Sequence, residues 1–163
     1  MGKLNAAVHR LAAPAFVYDL IQHVTGLEYT RRKLQPHLAQ MAGQVVPDVG
    51  AGTGLYRSLL PDTAQYLWLD NDPEKLRGFK RKHALMCAML GDATRIGLKV
   101  KSVDYTLAVA VAHHPGGAQL LLLISELARI VRHKVIFLDA LEHTSWMSRW
   151  LWKYDRGSYP RSA

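Results

Sequence analysis

The chain has 163 residues, of which 49% are hydrophobic and 21% charged, and it carries a net charge of +8 with a single cysteine. That balance excludes a disordered or fibrous chain and fits one globular domain, residues 1–163, long enough to build its own core. The lone Cys87 excludes an internal disulfide framework and suits a reducing compartment, so a cytoplasmic location is expected. The eight histidines are scattered apart from His113-His114, and no Cys/His cluster has metal-ligand spacing, so no metal site is expected.

From the N-terminus, apolar residues at helical spacing predict helices over residues 1–42, with a break at Pro14 and a second helix from Tyr29 to Met41 interrupted near Pro36. Leu11 to Leu20 is apolar but holds Pro14 and Asp19 with no cleavage pattern after it, which argues against a signal peptide. Ala6 stands where a myristoylation motif needs Ser or Thr. The expected core, 43–140, begins with a strand over 44–49 and a helix over 54–60 stopped by Pro61. A second strand follows at 65–70. Its helix opens at Asp72-Pro73-Glu74, an acid at the cap with proline in the first turn. Strands are then expected at 85–90, 103–110 and 134–139, with a helix over 117–132. Such alternation predicts a mainly parallel sheet with right-handed crossovers. Residues 105–125 lack Asp, Glu, Lys and Arg, yet His113-His114-Pro115-Gly116-Gly117 breaks that run, so a strand buried on both faces explains it better than a membrane span. Residues 141–163 read as a helix, Ser145 to Tyr154, and a tail.

The densest information lies in Val45-Val46-Pro47-Asp48-Val49-Gly50-Ala51-Gly52-Thr53-Gly54-Leu55, an apolar strand, an acid and a G-x-G-x-G turn. Glycines let the backbone turn sharply and approach a ligand with no Cβ in the way. Leu67-Trp68-Leu69-Asp70 and Leu90-Gly91-Asp92-Ala93 repeat the pattern of a strand ending in an acid. In order, these motifs resemble the class I S-adenosylmethionine-dependent methyltransferases of the small-molecule branch. The likeness covers roughly 40–140 and extends through Val103 to His114 and Ser125 to Val131.

The resemblance implies a Rossmann-like three-layer α/β fold with strand order 3-2-1-4-5 and S-adenosyl-L-methionine as cofactor. It implies that Gly50, Ala51, Gly52, Gly54 and Leu55, with Asp48 beneath them, cradle the methionine part. Asp70, with Asn71 beside it, would grip the ribose hydroxyls. Asp92 and Ala93 would face the adenine, Ala110 would line the same pocket, and Tyr18 would cover the methionine end. A nicotinamide-binding domain is the competing reading. Against its G-x-G-x-x-G fingerprint the third glycine, Gly54, comes one residue early, and the G-D-A element at 91–93 favours the methyl donor.

The family carries two further strands, six and seven, for which about 24 residues after Asp139 leave too little chain. Strand five would then be an edge, and a homodimer through it or through the Trp146–Tyr154 helix is expected, unless the tail from Asp155 covers it. Where the family has a Pro-Gly-Gly turn before strand five, this chain has Arg132-His133-Lys134, and a different loop is expected there. Methyl transfer from a sulfonium needs mainly placement of the acceptor, so no nucleophile–base triad is required. His113 and His114, at the exit of strand four, are the candidate catalytic residues, as a base or as pocket lining. An Asn/Asp-Pro-Pro-Tyr element is lacking after strand four, which disfavours methylation of nucleic-acid amino groups. The basic run Lys75, Arg77, Lys80, Arg81 and Lys82 reads either as a solvated helix face or as an anionic-partner patch. Trp146, Trp150 and Tyr154 with Arg149 and Lys153 allow peripheral membrane contact or packing on the sheet. The expected function is methyl transfer to a small, apolar or lipid-like oxygen or carbon acceptor. A non-catalytic cofactor- or partner-binding module and an RNA methyltransferase remain the alternatives.

Overall fold

The computed structural model describes residues 27–139. Within them the elements run α1 (Leu27–Leu38), a 3-10 turn (Ala39–Met41), β1 (Val45–Val49), a second 3-10 turn (Leu55–Leu59), β2 (Gln65–Asp70), α2 (Pro73–Lys82), β3 (Cys87–Leu90), β4 (Val103–Val109), α3 (Gly117–Ile130) and β5 (Val131–Leu138). The five strands form one parallel sheet in the order β3-β2-β1-β4-β5. This is the expected Rossmann-like arrangement. Tyr18 and the Trp146–Tyr154 segment lie outside the described residues.

Two apolar layers sandwich the sheet. Leu34, Leu38 and Met41 join Trp68 and Phe79 on one side, while Leu123, Leu127 and Ile130 of α3 pack with Val49, Leu69 and Ala108 on the other. Strands covered on both faces read as continuous apolar runs, which explains the charge-free part of β4 from Tyr105 to Val109. The crossover from β3 to β4 is fastened by α3. Glu126 Oε2 accepts the Ile96 N–H at 2.7 Å, while Arg129 donates to the carbonyls of Ile96 and Leu98, each at 2.8 Å, and the two side chains pair with each other.

Four local expectations are corrected. No α-helix follows the glycine turn: Leu55–Leu59 is a single 3-10 turn, because Gly54 enters it with φ +77°, no side chain caps it, and Pro61 follows at once. α1 continues through Pro36 and tightens only at Ala39. Strand three starts at Cys87 rather than 85, since Lys80 Nζ caps the carbonyls of Ala84 and Met86 and holds the chain in a turn. Arg132-His133-Lys134 is not a loop but part of β5. The register passes from Val103↔Val131 to Tyr105↔Lys134, so a bulge absorbs one extra residue, and Arg132 there pairs with Asp104 at 2.9 Å.

Among the described residues no helix is long and apolar enough to cross a membrane. The basic run on α2 is partly committed within the chain, Arg77 to Glu74 and Lys80 to the turn before β3.

Candidate functional site

In open parallel sheets, ligands bind beyond the carboxyl ends of the strands, where the strand order reverses. Here that point lies between β1 and β4, and a cleft of about 370 Å³ opens there, within the range of roughly 300–1,000 Å³ usual for small-molecule sites. Its wall holds Gly50 after β1, Asp70 at the end of β2 with Asn71 next to it, Asp92 and Ala93 after β3, and Ala110 and His114 after β4, seven of the residues expected from sequence. Lys75, Val111, Pro115, Gln119 and Leu123 also line it and were not anticipated.

The glycine turn owes its shape to three left-handed residues, Gly50, Gly52 and Gly54, with φ of +74°, +56° and +77°. A Cβ on Gly50 would stand 2.7 Å from Val111 Cγ2, and one on Gly54 2.4 Å from the Phe79 ring. Only hydrogen fits at both points. Gly50 and Ala51 both donate to the Leu69 carbonyl, at 2.8 and 3.1 Å, which draws the turn onto the end of β2. Ala110 is the second sign of a shaped site. It adopts φ +55° although it is not glycine, and it sits on the cleft wall.

Asp70 is buried, and its carboxylate already organises the turn: Oδ2 accepts the Gly52 N–H at 2.8 Å and Oδ1 the Asp72 N–H at 3.0 Å. A carboxylate offers about four lone-pair sites, so two remain for donors of a ligand such as a pair of vicinal hydroxyls. Asp92 is exposed and uses Oδ1 for the N–H and hydroxyl of Thr94, both at 2.8 Å.

Asp48, Ala51, Gly52, Gly54 and Leu55 do not line the cleft; they form the turn and its support. Asp48 is 1% exposed and accepts the Tyr66 hydroxyl at 2.8 Å. Burial, with the neighbouring Asp70 charge, pushes its carboxyl from 3.8 up to about 7 against the opposing effect of that hydrogen bond. The folded protein therefore holds a proton that the unfolded chain has lost, and stability falls as pH rises from about 4 to about 7, then levels off for this group. Asp48→Asn keeps an acceptor for Tyr66 and cannot ionise. Its stability relative to wild type, measured by urea unfolding, should rise between pH 4 and pH 8 by a few kcal/mol. An equal difference at both pH values would contradict this.

The two histidines separate. His113 is buried, and its Nδ1 lies 2.7 Å from Asp139 Oδ1, while Asp139 Oδ2 accepts the Ala112 N–H. It anchors the turn after β4 and is not on the cleft wall. His114 is on the wall, its ring 4.3 Å from the His113 ring. Asp139, at the exit of β5, is a residue that sequence reasoning passed over. Its only signal was its place after an apolar strand, like the acids at 48, 70 and 92. Among the described residues no group of His, Cys, Asp and Glu could hold a metal ion.

No curated protein matches the sequence. Solved structures match by fold. A S-adenosylmethionine-dependent methyltransferase from Aquifex aeolicus is 16% identical, with a TM-score of 0.58 over 77% of this chain and 78% of that one. Magnesium protoporphyrin IX methyltransferase from Synechocystis, solved with its bound methyl donor, is 21% identical with a TM-score of 0.57 over 66% and 55%. A Pyrococcus horikoshii protein is 20% identical with a TM-score of 0.57 over 65% of this chain, which spans about half of it (53%). Residues 47–138 match the methyltransferase-domain family. That stretch runs from the strand entering the glycine turn to the end of β5, and the chain belongs to this family, the class I S-adenosylmethionine-dependent methyltransferases.

Proposed function

We propose that the chain transfers a methyl group from S-adenosylmethionine to a small, apolar or lipid-like oxygen or carbon acceptor, with His114 receiving the acceptor's proton. The observation that carries the reading is the lining of the cleft, which includes His114 and the apolar Ala110, Val111, Pro115 and Leu123. The same lining holds the acids Asp70 and Asp92. The acids suit the cofactor and the apolar residues suit the acceptor.

When bound, the sulfonium supplies an already activated methyl group. The residues then have three tasks. The glycine turn and Asp92 fix the two ends of the cofactor, and Asp70 holds the ribose between them through its two remaining lone-pair sites. Val111 and Leu123 exclude water from the acceptor and orient it, an effect worth on the order of 7–11 kcal/mol in favourable cases. His114 takes the proton that leaves an O–H or acidic C–H as the new bond forms. His113 and Asp139 keep the turn carrying His114 in place. The single, exposed Cys87 suits a cytoplasmic setting for this reaction.

The test is transfer of a tritiated methyl group into a cell extract, separated afterwards into lipid, small-molecule and RNA fractions. Label in the lipid or small-molecule fraction, reduced at least about tenfold in His114→Gln, is expected. Label confined to RNA would establish the RNA-directed alternative, and no label with intact cofactor binding would establish a non-catalytic module.

A further inference from the structure

Three side chains on one face of β2 reach under the glycine turn. Successive strand residues alternate faces, so Tyr66, Trp68 and Asp70 project together. Tyr66 donates its hydroxyl to Asp48, Trp68 donates its indole N–H to the Gly52 carbonyl at 2.8 Å, and Asp70 accepts the Gly52 N–H at 2.8 Å. Both peptide groups flanking Gly52 are therefore gripped from below by residues two apart on one strand. Trp68 is fully buried and stacks on Phe79, ring centroids 5.8 Å apart and 17° from parallel, while Phe79 fills the space under Gly54. The indole cannot swing away.

We propose that Trp68 is a positioning residue for the methyl donor: its indole N–H sets the orientation of the Gly52–Thr53 peptide and so the shape of the turn that receives the methionine part. Because a trans peptide is planar, its C=O and N–H point in opposite directions. Holding the Gly52 carbonyl towards Trp68 turns the Thr53 N–H of the same peptide the opposite way. Glycine at φ +56° has little intrinsic preference of its own, so the indole bond contributes to the orientation of this peptide. The inference rests on the proposed cofactor reading, which places the methionine part against this turn and the adenosine against Asp70 and Asp92.

Two ligands separate the ends of the site: S-adenosylhomocysteine, which carries the amino-acid part, and 5′-methylthioadenosine, which lacks it. Calorimetry on the full chain should show Trp68→Phe, which keeps the aromatic stack, binding S-adenosylhomocysteine about tenfold more weakly. Its affinity for 5′-methylthioadenosine should stay within about twofold. Val103→Ala, in the core at the far end of β4, lowers stability without touching the turn and should change neither affinity. Equal weakening of both ligands, the same split in Val103→Ala, or no change in Trp68→Phe would each overturn the proposal. If Trp68→Phe does not fold, the indole N–H resonances of the wild-type chain are followed instead. One should resist exchange and move with S-adenosylhomocysteine but not with 5′-methylthioadenosine; the absence of such a resonance overturns the proposal. A wild-type chain that binds neither ligand removes the cofactor reading itself. A wild type that binds both, with Trp68→Phe unchanged, removes this inference alone.

Discussion

Replacing Gly54 with alanine is expected to lower the melting temperature by about 5–15 °C and to abolish binding of the methyl donor. Two costs add. The backbone at φ +77° disfavours any residue with a Cβ by about 1–2 kcal/mol. The added carbon would also stand 2.4 Å from Phe79 Cδ2, on a ring that is fully buried and stacked on Trp68. Either Phe79 leaves its place or the turn lifts off β2, and both outcomes destroy the ligand-facing surface. Gly43 is the internal control, because its φ is +73° but nothing lies within 4 Å of its would-be Cβ. Gly43→Ala should carry only the backbone cost and leave ligand binding intact. Thermal unfolding of the two variants in parallel checks this, and similar losses in both would contradict it.

Asp70→Ala is expected to weaken S-adenosylmethionine binding at least about 100-fold, the largest effect of any single cleft side chain. Hydrogen bonds to a charged acceptor are worth about 1.5–3 kcal/mol each, and on the proposed reading the variant loses those to two ribose hydroxyls at once. It also leaves the Gly52 N–H and Asp72 N–H without their carboxylate, so the turn and the start of α2 both loosen. Asp70→Asn keeps one acceptor oxygen and should fall between the two. Calorimetric titration of the three proteins measures this directly, and an affinity in Asp70→Ala within tenfold of wild type would contradict the assignment.

The frame of this fold was legible because its signals are local. Short apolar runs point to the five strands, and β2 and the Asp72-Pro73 start of α2 fall where they were expected, while β3 starts later and β5 earlier. Of the three acids at or just beside strand ends, Asp70 and Asp92 line the cleft with Gly50, while Asp48 lies buried beneath the glycine turn. What escaped the sequence depended on contacts distant along the chain. The bulge in β5 answers to Asp104 on the neighbouring strand. His113 and His114 look alike in sequence, but only the position of Asp139, 26 residues on, separates an anchor from a wall residue. The role of Trp68 had a signal that was available: Tyr66, Trp68 and Asp70 share one parity on a strand, so a single face of β2 had to meet the glycine turn.

The central claim is that the cleft at the carboxyl ends of β1 to β4 is built for S-adenosylmethionine. Titration calorimetry of the full chain with S-adenosylmethionine, its demethylated product and NAD tests it most directly. The account predicts one-to-one binding of the first two and no heat with NAD. Preference for NAD, or no binding of any of the three, would contradict it.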